Sequence, residues 1–236
     1  MAKTMAQLAT LPSFDNIGCI QEDPGTPGKY IVSPVYHRDV MVEKEDPKVE
    51  ATGPFDTAAE YLAMHTNVPD GGWGTSWTMA TGRLLPVLVT YLPQDDGRFV
   101  LELPGFDSSN ILVDASGRVT GITDCDLAQT VPPYVGYARY PGWITRDWDP
   151  VWYRPDSEHE DSRMELNAYR DYYATELERA LVRRDDLVCA FVKHTRRSHR
   201  YEAIFWIALH SKPSRTEIVR KFLQLALPNL KTRIII

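Results

Sequence analysis

The sequence has few cysteines and no long apolar run, and each absence argues against a class of protein. Its three cysteines, Cys19, Cys125 and Cys189, are scattered and form no Cys-x-x-Cys pair. This spacing argues against a zinc site or a disulfide framework and fits a reducing compartment. No segment approaches the roughly 20 apolar residues of a membrane-spanning helix. The amino-terminal residues contain no apolar run of signal-peptide length, so we expect a cytoplasmic protein.

The sequence also has no excess of basic residues over acidic ones. The chain has 26 Lys and Arg against 32 Asp and Glu, a formal net charge of -6, so it carries no broad electrostatic footprint for nucleic acid. We interpret the short basic cluster at residues 193–197 as a solvated helix face. The chain has 236 residues, 43% of them hydrophobic, which is enough for a core in one large domain or two small lobes.

The first half of the chain predicts little regular structure before residue 56. Residues 1–55 look irregular, with short strands near 29–35, and Asp56 is the expected N-cap of a helix. A second helix is predicted from about 76 to 91, with a kink at Pro86. An apolar strand over 99–103 is interrupted by Glu102. A β-hairpin follows, with strands at 111–113 and 119–122 around the turn at 115–117.

The second half predicts helices. Residues 127–155 are rich in proline and aromatic residues and predict an irregular segment packed over the core. Helical spacing of apolar residues begins at about 157 and returns over 201–209. A last helix follows Pro213, with Ser214 and Glu217 spaced as a capping box. Together these elements predict an α+β protein that is mostly helical towards its carboxyl end.

Two oxygen-bearing side chains flank the predicted hairpin. Asn110 begins its first strand and Asp124 follows its second, so antiparallel pairing predicts that they meet at one edge. Such groups suit Mg²⁺, which takes one or two carboxylates plus phosphate oxygens; Asp107 and Asp126 would add negative charge nearby. The alternative is that Asn110 and Asp124 only satisfy backbone donors.

The stretches FVLELPGFDSSNILVD and GRVTGITDCDLAQTVPPYVGYARYPGWITRDWDP resemble the C-lobe of the aminoglycoside phosphotransferase and choline-kinase-like superfamily, in its fungal branch. The resemblance extends loosely to about residue 225. It implies a protein-kinase-like fold whose cofactors are ATP and Mg²⁺. By the same resemblance, Asn110 and Asp124 match the metal-binding residues that follow the catalytic base and the hairpin.

The chain departs from the family pattern at the base. Leu103 stands where the family has histidine, and Gly105 stands where it has the catalytic aspartate. Glycine cannot accept a proton. Asp107, two residues further on, is the candidate substitute base, since the glycine gives the loop conformational freedom. Cys125 replaces the usual aromatic residue and is either a small filler or a reactive thiol.

The resemblance also implies that the N-lobe is largely missing. A complete kinase has an N-lobe with a glycine-rich phosphate loop, a lysine on a strand and a glutamate on a helix. This pattern is not found before residue 99. Residues 1–55 then form a remnant before a phosphotransferase-like C-lobe at 56–236. The C-lobe surface left without its N-lobe predicts an apolar patch for a small-molecule ligand or a protein partner, and a homodimer is one form of that contact.

Further candidates for substrate or ligand contact are Asp126, Arg146 and Trp143. Arg146 could instead form a local ion pair. Aromatic residues cluster between 134 and 153: Tyr134, Tyr137, Tyr140, Trp143, Trp148, Trp152 and Tyr153. They either line a pocket for an apolar or cationic ligand or pack in the core.

Three functions are consistent with these features. The first is a degenerate phosphotransferase-like protein without phosphotransfer of its own, in a binding or regulatory role. The second is a small-molecule-binding enzyme of a biosynthetic pathway that uses the old cleft for another reaction, because a fold does not determine a function. The third is an ATP- and Mg²⁺-dependent small-molecule phosphotransferase with Asp107 as its base.

Overall fold

The computed structural model describes residues 1–38, 49–66, 76–94, 96–103, 105–126, 128–181, 194–209 and 212–226. Its strands are β1 Gly18–Glu22, β2 Tyr30–Ser33, β3 Val35–Arg38, β4 Val49–Thr52, β5 Val100–Glu102, β6 Ile111–Val113, β7 Val119–Ile122 and β8 Gln129–Val131. Its helices are α1 Ala2–Met5, α2 Ala58–Thr66, α3 Ser76–Val89, α4 Arg163–Leu181, α5 Ser198–Glu202 and α6 Lys212–Ala226. The chain is therefore α+β, as its sequence predicts.

In the described part of the chain, an antiparallel sheet has the strand order β2-β1-β8-β5. Its central pairing joins Gly18 to Thr130, 112 positions apart in the sequence. Gly18 is required there, because a Cβ at this position would lie 2.2 Å from the backbone oxygen of Ser33 on β2. The expectation that residues 1–55 are irregular apart from short strands near 29–35 is thus wrong for α1, β1 and β4, which are too short for a clear periodic pattern.

Two clusters of buried side chains form the core. One lies among α2, α3, the sheet, α6 and the π-helical segment Ala203–Ala208 that continues α5; its large members include Tyr61, Phe99, Phe205 and Ile218. The other joins α1 and α4 to the segment around residues 137–144 and includes Met5, Tyr140, Leu177 and Leu181. Across the described segments, each helix is too short or too polar to cross a bilayer.

The aromatic segment covers this core, as predicted. Tyr134, Tyr137, Tyr140, Trp148 and Tyr153 are all buried, and short 3-10 turns connect them. Trp143 is only partly buried, and Trp152 has 71% of its surface exposed. The aromatic residues therefore act mainly as packing groups, which is the second of the two alternatives that the sequence left.

Two helix caps differ from the sequence predictions. Helix α2 begins one residue later than expected, and Thr57 caps it by accepting a hydrogen bond from the N–H of Glu60 at 3.1 Å. Asp56 instead accepts from the side chain of Asn16 at 2.6 Å. Helix α6 begins at Lys212, before Ser214, so Ser214 lies within its first turn and is not the cap. Both differences lie at helix ends, which commonly vary by about one or two residues.

Candidate functional site

The candidate site is built on the loop that joins β5 to the β6–β7 hairpin. Residues Ser108–Asn110 form a 3-10 turn that leads directly into β6. The carbonyl of Asn110 accepts a hydrogen bond from the N–H of Thr123 at 2.9 Å, just after β7 ends. This bond closes the end of the hairpin and brings Asn110 beside Asp124.

The side chains of Asn110 and Asp124 meet, as antiparallel pairing predicts. Asn110 Nδ2 donates to Asp124 Oδ2 at 3.4 Å and to the carbonyl of Gly105 at 2.8 Å. Asp124 has a φ of 57°, a conformation that non-glycine residues adopt mainly when they are Asn or Asp. The amide of Asn110 thus bridges the loop and the residue that follows the hairpin.

The oxygen atoms of this pair suit a magnesium ion that is completed by ligand oxygens. The Asn110 amide uses its nitrogen on Gly105 and Asp124, so Oδ1, with only a long 3.4 Å contact from Ser109 Oγ, is its available ligand atom. Mg²⁺ commonly takes few protein oxygens together with phosphates and water. Among the described residues, no group of three or more His, Cys, Asp or Glu could enclose a metal. Asn110 and Asp124 would therefore be the protein ligands of such an ion, and oxygens from another molecule would complete its coordination.

Gly105 lies against this pair and contributes no side chain to it. A Cβ at Gly105 would stand 2.9 Å from Asn110 Nδ2 and 3.8 Å from Asp124 Oδ2. The residue has a φ of 62°, which strains most residues other than glycine. Position 105 is therefore adapted to glycine in both its space and its backbone.

Asp107 is held by its own neighbourhood. Its Oδ1 accepts from the N–H of Ser108 at 2.5 Å and from the Ser108 hydroxyl at 3.1 Å. Its Oδ2 lies over Gly142, where an added Cβ would be only 2.8 Å away. The N–H of Gly142 in turn donates to the carbonyl of Phe106 at 2.8 Å. The carboxylate thus caps the 3-10 turn and packs on the segment that begins at Gly142.

Of the other predicted contact residues, Trp143 packs against the loop. Arg146 forms an ion pair with Glu160 through two hydrogen bonds of 2.5 and 2.8 Å, so the local ion pair that the sequence allowed is present. This guanidinium lowers the pKa of the Glu160 carboxyl. Trp143 packs edge-on against Phe106, with ring centroids 5.9 Å apart. Asp126 is exposed, as is Cys125 beside it.

Arg139, which the sequence analysis did not single out, contacts the end of β5 where the loop begins. The Arg139 guanidinium contacts Glu102 at 2.9 Å, Glu202 at 2.7 Å and the carbonyl of Leu103 at 2.9 Å. Glu102 also accepts from Gln129 at 3.0 Å. Burial raises the pKa of Glu202, and Arg139 opposes that shift. The only sequence signal was Glu102, a buried acid within an otherwise apolar strand.

The chain matches no family model, no curated protein and no solved structure. The phosphotransferase resemblance of its sequence therefore remains a prediction. The α+β architecture and the contacts described above are the observations on which a function can be argued.

Proposed function

We propose that the chain is an aminoglycoside phosphotransferase-like protein with a kinase-like C-lobe and no phosphotransfer activity of its own. In this proposal it binds a phosphate-bearing small molecule through Mg²⁺ at Asn110 and Asp124, in a binding or regulatory role. The chain can bind a phosphate without transferring it, because binding depends on Asn110 and Asp124 whereas transfer depends on a base, and Gly105 provides none.

The observation that carries the proposal is Gly105. The point from which a side chain would reach the Asn110–Asp124 pair has no group that can accept a proton. A general base must lie within hydrogen-bond reach of the hydroxyl that it activates. Without one, a bound phosphate lacks the residue that would orient and deprotonate an acceptor.

The geometry of Asp107 argues against its service as a replacement base. One carboxylate oxygen accepts two hydrogen bonds from Ser108, and the other lies over Gly142. A turn of this side chain towards Asp124 would give up the cap of the 3-10 turn. The described contacts therefore favour binding without transfer over a phosphotransferase that uses Asp107.

Calorimetric titration with ATP, with and without Mg²⁺, tests the binding half of the proposal. Wild type should bind ATP only with Mg²⁺, and Asp124→Asn should lose about 2 kcal/mol of binding free energy, since a charged metal ligand becomes neutral. The matched control is Asp114→Asn, which removes the same charge at the other end of the hairpin and should bind as wild type. Equal binding with and without Mg²⁺, or no binding, would contradict a metal-dependent site.

A coupled assay for ADP release tests the other half. With Mg²⁺·ATP and either an aminoglycoside or choline as acceptor, the wild-type rate should equal the rate without acceptor. Asp107→Asn should leave that rate unchanged. Acceptor-dependent ADP release that Asp107→Asn abolishes would overturn the proposal and establish Asp107 as the base.

A further inference from the structure

Arg139 is a partly buried cation at the point where the candidate loop leaves β5. Its Nη2 donates to the carbonyl of Leu103, just before the loop, and pairs with Glu102 at the end of β5. Its guanidinium carbon lies 5.8 Å from the ring centroid of Phe106, within the loop. One side chain thus holds residues on both sides of the point where the loop leaves the sheet.

The other side of the same guanidinium reaches the helical half of the protein. Nη1 donates to Glu202 at 2.7 Å, at the junction of α5 with the π-helical segment Ala203–Ala208. The side chains of Glu102 and Glu202 retain only 3% and 8% of their exposure. Two buried carboxylates share one guanidinium, so removal of that cation would leave both without their charge partner.

We propose that Arg139 is the positioning residue of the Asn110–Asp124 site: it fixes loop 105–110 on β5 and couples the loop to α5 through Glu202. The affinity part of this inference rests on the function proposed above. The mechanical part does not, because Arg139 contacts Leu103 just before the loop and Phe106 within it, whether or not the site binds a phosphate.

The planar fork of arginine is essential to this role. It reaches a backbone carbonyl and two carboxylates at once, whereas a lysine ammonium on its flexible stem acts as a single point charge. Arg139→Lys therefore keeps the positive charge and loses the simultaneous contacts. The carbonyl of Gly105 should then move relative to the Asn110 amide that donates to it.

Amide hydrogen exchange measures the effect directly. In Arg139→Lys, peptides covering residues 105–110 should exchange about tenfold faster than in wild type, as expected when charge-assisted hydrogen bonds are lost. The matched control is Arg215→Lys, which removes a guanidinium that donates to Ala208 and Leu209, at the far end of the same helical region. It should leave loop exchange as in wild type. Unchanged loop exchange in Arg139→Lys, or equal acceleration in both variants, would overturn the inference.

A second measurement separates this inference from the proposed function. The dissociation constant for Mg²⁺·ATP should rise about tenfold in Arg139→Lys and stay constant in Arg215→Lys. If wild type binds no Mg²⁺·ATP, the proposed function fails, and the exchange experiment still decides whether Arg139 positions the loop. If Arg139→Lys does not fold, Glu202→Gln keeps the side-chain size and should accelerate loop exchange about threefold; no acceleration would overturn the coupling.

Discussion

His199 should make the stability of this protein depend on pH in a specific way. The imidazole is buried, with its ring centroid 5.8 Å from that of Tyr140 and 5.3 Å from that of Trp148. Its Nδ1 has no hydrogen-bond partner within the described structure. Burial lowers its pKa from 6.5 to about 3, and the positive charges of Arg170 and Arg200 act in the same direction.

The sign of the effect follows from the proton balance. The folded-state pKa lies below the unfolded value, so the unfolded chain binds a proton that the folded chain excludes. The contribution of His199 to stability is therefore fully present above pH 6.5 and is lost as the pH falls towards 3. Relative to pH 7, the linkage relation predicts a loss of about 0.7 kcal/mol at pH 6 and about 2 kcal/mol at pH 5.

Urea unfolding of wild type and His199→Phe at pH 7, 6 and 5 isolates this contribution. Phenylalanine keeps a planar ring among the aromatic neighbours and cannot bind a proton, so wild type should lose about 2 kcal/mol more than the variant between pH 7 and 5. The comparison cancels other groups, including Glu202, whose raised pKa has the opposite effect. Parallel pH profiles, or an NMR titration of the His199 ring near pH 6.5, would refute the argument.

Three further substitutions test the packing. Arg170→Ala should lower the free energy of unfolding in urea by about 3–5 kcal/mol, because the buried carboxylate of Asp147, which pairs with Arg170 at 2.6 Å, loses its cation. A loss below about 1 kcal/mol, the value typical of a surface ion pair, would contradict this. Gly18→Ala should cost about 1–3 kcal/mol by forcing a Cβ against Ser33, and an unchanged unfolding midpoint would contradict that close approach. Thr57→Ala should cost about 1 kcal/mol, whereas Thr57→Ser, which keeps the capping oxygen, should unfold as wild type.

The parts of the site that the sequence predicted are those that local geometry determines. The turn signals at residues 115–117 identify the β6–β7 hairpin, and the register of a hairpin follows from its turn. Once that register is known, Asn110 and Asp124 must lie at the same edge. The absence of a side chain at Gly105 is equally visible in the sequence, since it depends only on residue identity.

Other features depend on contacts between distant residues and carry little local signal. The pairing of β1 with β8 joins Gly18 to Thr130, 112 positions apart, through strands too short for a clear period. The direction of the Asp107 carboxylate depends on the approach of Gly142. The Arg139 contacts to Glu102 and Glu202 depend on how α5 packs behind the sheet.

The sequence by itself determined the α+β composition, the hairpin and the meeting of Asn110 with Asp124, because these follow from patterns and pairings within a few residues. Only the tertiary structure decided that the Asp107 carboxylate lies over Gly142 and that Arg139 pairs with both Glu102 and Glu202. The physical reason is that a buried polar side chain takes the partners that surround it after folding, and those partners lie far away along the chain.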